Sequence, residues 1–272
     1  MTLPELGIGL GWRSTIDLTI ERLPGVDFVE VTAEQINPAA VPTSLQVLRS
    51  RGLPVVVHAV TLSLGSAEPL NRGRVAHLAA VAAALDAPLV SDHVAFTHAG
   101  GLDTGHLLPL PRTRAALDVL VANVREAQAE LPVPLALENV ACLLQWPGAE
   151  LTEAQFLAEL VERTGCLLLI DVANLHANAR NTGTDPAEFL ATVPAEHVAY
   201  MHVAGGVEQN GLYHDTHAHP VAPPVLDLLG RACEQLRPRG LLLERDDHYG
   251  TDAEIAAELT AIRRVRDLVR AS

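Results

Sequence analysis

Short apolar runs alternate with longer segments of helical periodicity along the chain. Most runs are near-continuous Val, Leu, Ile and Ala, the pattern expected of parallel strands that are buried on both faces. The eight predicted strands span residues 7–12, 27–32, 54–60, 88–96, 134–140, 166–175, 198–205 and 240–246. The eight predicted helices span residues 14–23, 41–51, 68–85, 112–130, 153–163, 186–192, 221–237 and 252–270.

This alternation predicts an α/β protein with a closed (β/α)8 TIM barrel. Eight units of about 34 residues match the size of that fold, whereas a doubly wound sheet is the alternative. No linker, charge block or low-complexity tract divides the sequence, so we expect a single domain over residues 1–272. The fold places an active site at the carboxyl ends of the strands.

The amino-acid composition excludes several partners and cofactors. The chain is 49% hydrophobic, with 33 acidic and 19 basic residues and a net charge of −14, so nucleic acid and anionic membranes are not expected partners. All basic residues are Arg, which excludes lysine Schiff bases, lysine-anchored pyridoxal and a P-loop. Three cysteines without a CxxC pair, no signal peptide in residues 1–10 and no long apolar span predict a cytoplasmic protein.

Polar residues stand at the same end of six successive predicted strands. Charged groups there are costly unless they are paired or bind metal, and His with carboxylates suits divalent zinc, manganese or iron. Many carboxylates without lysine predict a pocket that needs two or more cations, hence a multinuclear site. The candidate residues are His58, His93, Glu138, Asp171, His202 and Glu244, followed by the loop 214–219.

The glycine run at residues 7–11 imitates a dinucleotide-binding loop. It lacks the GxGxxG spacing, so we predict no nucleotide cofactor there and a closely packed barrel strand instead.

Motifs over nearly the whole chain resemble the domain-of-unknown-function 692 (DUF692) family. They occur in the order GIGLGWR, VEVTAE, VHAVTLSLG, SDHVAF, HLLPLP, LENV, DVANLHANA, MHVAGG, DTHAHPV and LLLERD. This family comprises multinuclear non-heme iron oxygenases of peptide natural-product biosynthesis, including the iron subunit of the methanobactin-forming enzyme. The resemblance implies a barrel similar to those of xylose isomerase and the trinuclear AP endonucleases.

The resemblance also implies metal ligands. A first metal would take His58, His93 and Glu138; a second would take Asp171, His202 and Glu244, with Glu138 bridging; a third would take Asp215, His217 and Asn174. In the related endonucleases a histidine occupies the position of Asn174, so the neutral amide predicts that the third metal is the most labile. Ala173 departs from the paired asparagines that the family often carries.

By the same resemblance, the protein would oxidise cysteine in a ribosomally synthesised precursor peptide with O2 and two to three irons. The implied catalytic residues are His58, His93, Glu138, Asp171, His202 and Glu244. The implied partners are the peptide and a separate protein that binds its leader.

Three other functions suit the same residues. A zinc- or manganese-dependent phosphodiesterase of the AP-endonuclease type would use these ligands to activate water, but the chain lacks a basic and aromatic strip for a nucleic-acid backbone. A sugar isomerase or epimerase occurs on the same barrel. A metal-binding barrel without catalytic activity is the third alternative.

Overall fold

The computed structural model describes residues 3–271, which form a closed barrel of eight parallel strands surrounded by helices. The strands of this part of the chain are β1 (Gly7–Gly11), β2 (Phe28–Thr32), β3 (Val55–His58), β4 (Val90–His93), β5 (Ala95–Ala99), β6 (Leu102–Pro109), β7 (Leu135–Glu138), β8 (Leu167–Asp171), β9 (Val198–Val203), β10 (Val207–Gln209), β11 (Leu212–His214) and β12 (Gly240–Leu243). The barrel order is β1-β12-β9-β8-β7-β4-β3-β2.

The helices cover the outside of the barrel. Within residues 3–271 they are α1 (Asp17–Arg22), α2 (Thr43–Ser50), α3 (Arg72–Leu85), α4 (Arg114–Glu130), α5 (Glu153–Thr164), α6 (Val172–Thr182), α7 (Pro186–Thr192), α8 (Pro223–Leu236) and α9 (Asp252–Ala271). No helix of the described chain has the length and apolar composition needed to cross a bilayer.

The predicted TIM barrel is confirmed, and each predicted strand contains one barrel strand. The single-domain prediction also covers Met1, Thr2 and Ser272, which lie outside the described residues, and it stays a prediction.

The sixth predicted strand, residues 166–175, is wrong in its second half. The strand ends at Asp171, and α6 begins at Val172. The Asp171 side chain accepts the backbone N–H of Asn174 at 2.8 Å and thereby caps the helix. A short apolar run cannot distinguish a buried strand from a buried helical turn, so hydropathy alone missed the cap.

Two antiparallel hairpins at the mouth of the barrel were not predicted. β5 and β6 follow β4, and β10 and β11 follow β9. Their turns contain Gly100 and Gly101 in one case and Asn210 and Gly211 in the other, all with positive φ. Such turn residues between short strands are a hairpin signal that was available in the sequence.

Inward-facing side chains form two layers inside the barrel. Because side chains alternate along a strand, residues two apart point to the same side. An apolar layer fills the amino-terminal end and contains Phe28, Val56, Leu89, Ala136, Leu169, Tyr200 and Leu242. Two residues further along the same strands, the polar layer contains Glu30, His58, Ser91, Glu138, Asp171, His202 and Glu244, all buried. The barrel therefore has a hydrophobic floor and a polar upper end.

The glycine run of β1 makes room for this floor. A Cβ on Gly9 would lie 2.4 Å from the Phe28 ring, which no side chain tolerates. The neighbouring strands are joined in parallel register, with Gly9 opposite Phe28 and Leu242. The run thus serves close packing within the barrel.

Candidate metal centre

Three strands place His58, His93 and Glu138 side by side at the carboxyl end of the barrel. These residues end β3, β4 and β7, and the register pairs His93 with Glu138. His58 Nε2 and His93 Nε2 lie 3.6 and 3.3 Å from Glu138 Oε2. Ligand atoms of the three residues lie within 4.8 Å of one another, so they could hold one metal ion.

Glu138 also belongs to a second cluster, with Asp171, His202 and Glu244. His202 Nδ1 lies 3.5 Å from Glu138 Oε1 and 2.9 Å from Glu244 Oε2. The two oxygens of Glu138 therefore face different clusters, an arrangement that suits a bridging carboxylate. All four residues are buried.

A third cluster contains Asp171, Asp215 and His217. His217 Nε2 lies 2.7 Å from Asp215 Oδ2 and 4.0 Å from Asp171 Oδ2. Its other nitrogen, Nδ1, faces Glu244 and Asp246 at 3.4 and 3.2 Å. The His217 backbone has φ +51°, a left-handed conformation that is uncommon outside glycine and that recurs at functional sites.

Several buried ligand atoms lack a hydrogen-bond partner within residues 3–271. They are His93 Nδ1, Glu138 Oε2, Asp171 Oδ2, His202 Nδ1 and Asp215 Oδ1. His202 Nδ1 is close to Glu244 Oε2, but the two atoms do not form a hydrogen bond. Each unpaired buried polar atom costs about 1–3 kcal/mol, so this concentration fits a site completed by cations. Imidazole and carboxylate donors suit divalent zinc, manganese or iron.

Protonation balances the charges of these clusters when no cation is present. Burial disfavours a charged His93, but Glu138, Asp92 and Glu244 together outweigh it and raise the pKa of His93 to about 9. Burial, with Asp215 and Glu138 nearby, raises the pKa of Asp171 to about 8. Burial likewise opposes charge on His202, yet the surrounding carboxylates raise its pKa well above the ordinary value. Metal ions would displace such protons, because metals bind the deprotonated forms.

Eight of the nine predicted metal ligands fall in these clusters, including all six residues predicted to be catalytic. The ninth predicted ligand, Asn174, is buried in the first turn of α6, and its backbone N–H donates to Asp171 Oδ1 at 2.8 Å, next to the second and third clusters. Its side-chain Nδ2 donates to the Asn139 carbonyl at 2.9 Å. The assignment of individual ions to these side chains stays a prediction.

Two further carboxylates of the site were not among the predicted ligands. Glu30 accepts a hydrogen bond from His202 Nε2 at 3.1 Å, and Asp246 joins His217 and Glu244 in another possible metal-binding group. Glu30 stands two residues after Phe28, on the inward face of β2, so strand alternation was the signal that could have found it. Asp246 likewise follows Glu244 by two residues.

Comparison with known proteins gives a family and close relatives. A family model described as "RiPP precursor modification enzyme MbnB/TglH/ChrH", where RiPP denotes a ribosomally synthesised and post-translationally modified peptide, matches residues 7–267. A UPF0276 protein of Streptomyces avermitilis is 55% identical over 270 residues, covering 97% of this chain and 55% of that protein. A UPF0276 protein of Caulobacter vibrioides is 38% identical over 272 residues, covering 97% and 95%. The chain thus spans about half the length of the Streptomyces relative.

Solved structures with the same fold are far more distant in sequence. A D-tagatose 3-epimerase-like protein superposes with a TM-score of 0.66 at 16% identity, covering 97% of this chain and 98% of that one. A xylose isomerase domain protein from Planctomyces limnophilus has a TM-score of 0.62 at 16% identity, covering 100% of both chains. These likenesses confirm the xylose isomerase-like TIM barrel, and at such identity they concern the fold alone.

Proposed function

The chain belongs to the MbnB/TglH/ChrH family of RiPP precursor modification enzymes, and we propose that it oxidises cysteine residues of a precursor peptide with O2 at a multinuclear non-heme iron centre. The observation that carries this proposal is the continuous set of buried His and carboxylate clusters joined through Glu138 and Asp171. A single catalytic ion would not need a carboxylate such as Glu138, whose two oxygens face two different clusters.

The residues divide into three groups in this proposal. His58, His93 and Glu138 would hold one iron; Asp171, His202 and Glu244 a second, shared with Glu138; Asp215, His217 and Asn174 a third. Bound iron would supply the redox chemistry with O2 that cysteine oxidation requires and that zinc, which has no redox states, does not offer.

The chain's own contribution is to orient the ligands and exclude water. Asn139 brackets Asp171, since its side chain accepts the Asp171 N–H at 2.9 Å and donates to the Asp171 carbonyl at 3.1 Å. The apolar floor closes the site from the amino-terminal end. His217 has the most exposed side chain among the His and carboxylate ligands, at 18%, so we place the approach of the cysteine thiol on its side.

Apolar side chains around the mouth suit a peptide substrate. Leu102 at the tip of the β5–β6 hairpin and Leu143, Leu144 and Trp146 in the loop after β7 are exposed. Parallel strands bring both segments to the end of the barrel that carries the clusters. We propose that they contact the precursor peptide, and that a separate protein binds the leader.

The test is an anaerobic reconstitution followed by exposure to O2. Protein loaded with Fe²⁺ and mixed with a cysteine-containing precursor peptide should change the mass of the cysteine-containing fragment, whereas protein loaded with Zn²⁺ should not. His93→Ala and Glu138→Ala should abolish the change. Retained turnover in either variant would refute this site, and O2-independent cleavage by the zinc form would favour a hydrolase.

The matched control is His197→Ala. His197 precedes β9 at the opposite end of the barrel, so its loss should leave turnover intact.

A further inference from the structure

We propose that Glu30 and Tyr200 are positioning residues, which fix the ring orientation and the protonated nitrogen of two predicted ligands, His58 and His202. This inference rests on the metal-binding part of the proposed function. It assigns a role to two buried side chains outside the predicted ligand set: Glu30, in the polar layer beside the clusters, and Tyr200, in the apolar layer beneath them.

One network of hydrogen bonds crosses the barrel within the polar layer and passes through Tyr200 of the apolar layer. His58 Nδ1 lies 2.8 Å from Ser91 Oγ, and Ser91 Oγ lies 2.8 Å from the Tyr200 hydroxyl. The Tyr200 hydroxyl donates to Glu30 Oε2 at 2.6 Å, and His202 Nε2 lies 3.1 Å from the same oxygen. The network thus connects a ligand of the first cluster with a ligand of the second.

Every member of the network is buried, with exposed fractions between 0% and 4%. Water therefore does not replace a missing partner, and an unsatisfied member would carry its full desolvation cost. The Tyr200 ring is held edge-on against Phe28, with centroids 6.3 Å apart, so the hydroxyl has a fixed position.

Glu30 sets the direction of all four hydrogen bonds. An ionised carboxylate only accepts hydrogen bonds, so both groups that meet at Oε2, Tyr200 and His202, must donate. Because the Tyr200 proton points to Glu30, its oxygen accepts from Ser91. Ser91 then accepts from His58 Nδ1–H.

In the metal-bound site this order leaves one free lone pair on each imidazole, because metal binding displaces the second ring proton that the carboxylates favour on His202. His58 keeps its lone pair on Nε2, which lies 3.6 Å from Glu138 Oε2. His202 keeps its lone pair on Nδ1, which lies 2.9 Å from Glu244 Oε2 and 3.5 Å from Glu138 Oε1, two carboxylates of the same cluster. Both unprotonated nitrogens therefore face the carboxylate shared by the two clusters, as metal ligation requires.

The two residues differ in what their loss should do. Glu30→Gln keeps the shape but offers an amide that can donate to His202 Nε2, which would move the ring proton to Nδ1. Tyr200→Phe removes the link to Ser91 while the bond between Glu30 and His202 remains. Glu30→Gln should therefore weaken metal binding at both the His58 cluster and the His202 cluster, whereas Tyr200→Phe should weaken metal binding at the His58 cluster alone.

Metal affinity measured with Zn²⁺ in competition with a chelating dye tests this inference, with the whole chain and no peptide. We expect Glu30→Gln to lose 10–100-fold in the affinity of two ions, and Tyr200→Phe to lose a similar factor for one ion. The matched control is Glu34→Gln. The Glu34 carboxylate accepts hydrogen bonds from Val60 and Thr61 and takes no part in the hydrogen-bond network, so the metal affinity of this variant should stay unchanged.

Nitrogen NMR of the zinc-loaded, unsubstituted protein gives a readout that does not depend on any variant. His58 should carry its proton on Nδ1, and His202 on Nε2. The reverse tautomer for His202, or wild-type affinity in both variants, would overturn the inference while leaving the metal site intact. Failure of the unsubstituted protein to bind metal would instead refute the proposed function, and the inference with it.

Discussion

At the scale of single residues, Glu138 links the site together. It ends β7, its Oε2 faces His58 and His93, and its Oε1 faces His202. Burial opposes its charge, but the surrounding imidazoles, His93 first, hold its pKa below the ordinary value. It is therefore a carboxylate ready to bridge two cations. His217, by contrast, lies at the less buried edge of the clusters.

This difference predicts unequal losses of metal. Glu138→Ala should cost two ions per chain because two clusters share the residue, whereas His217→Ala should cost only the most labile ion. Metal analysis of anaerobically reconstituted variants measures both losses. Equal losses in the two variants would contradict the bridging role of Glu138.

Glu153, in the first turn of α5, predicts a pH dependence of stability. Burial raises its pKa from 4.5 to about 7, against the opposing effects of Arg112 and Asn178. Because the pKa is higher in the folded state, the neutral carboxyl stabilises the fold at acid pH, and this contribution is lost as the pH rises from 4.5 to about 7.

Glu153→Gln removes this titration. The free energy of unfolding of the variant should gain on the order of 2 kcal/mol over wild type across that pH range. Urea unfolding in the presence of a chelator, at several pH values, measures the difference. Glu162→Gln, on an exposed face of the same helix, is the control, and curves for Glu153→Gln that run parallel to wild type would disprove the assignment.

At the scale of secondary structure elements, the sequence predicted the barrel because each strand is a nearly uninterrupted apolar run. It did not predict where the chain leaves the barrel at the carboxyl end. There, Asp171 ends β8 and caps the first turn of α6, and Gly100 and Gly211 form the turns of the two hairpins. These outcomes depend on single side-chain caps and positive φ angles, which hydropathy does not register.

The site was predictable to the extent that its residues stand at strand ends. Positions at strand ends and the family motifs together indicated the eight candidate ligands that the structure gathers. Glu30 was not identified from the sequence as part of the site because it is the single acidic residue of β2, and the residues on either side of it are apolar like those of the core. Its role depends on Tyr200, which is 170 residues away in sequence and reaches Glu30 only when the barrel closes.

The close packing of β1 predicts a cost for filling it. A methyl group at Gly9 would overlap the Phe28 ring, so Gly9→Ala should lower the free energy of unfolding by about 1–3 kcal/mol. Gly230→Ala is the matched control. Gly230 lies within α8, where alanine is the better helix former, and the added Cβ would lie at an ordinary 3.7 Å from the Val265 side chain. Chemical denaturation compares the two, and a Gly9→Ala variant as stable as wild type would contradict the packing.

At the scale of the whole molecule, the barrel separates stability from chemistry. Its amino-terminal end is filled by apolar side chains, and its carboxyl end carries the buried polar clusters and the hairpins. Sugar epimerases share this barrel at 16% identity or less, which shows how little the fold says about the reaction. The family membership places the chain with RiPP precursor modification enzymes, which those neighbours of similar fold do not indicate.

The central claim is that the buried clusters hold several iron ions, and elemental analysis of protein prepared anaerobically without added metal tests it most directly. We predict two to three equivalents of iron per chain, or the same number after anaerobic reconstitution with Fe²⁺ if zinc has been loaded during expression. Absence of stoichiometric metal, even after reconstitution, would contradict the multinuclear site and with it the proposed oxidation of cysteine.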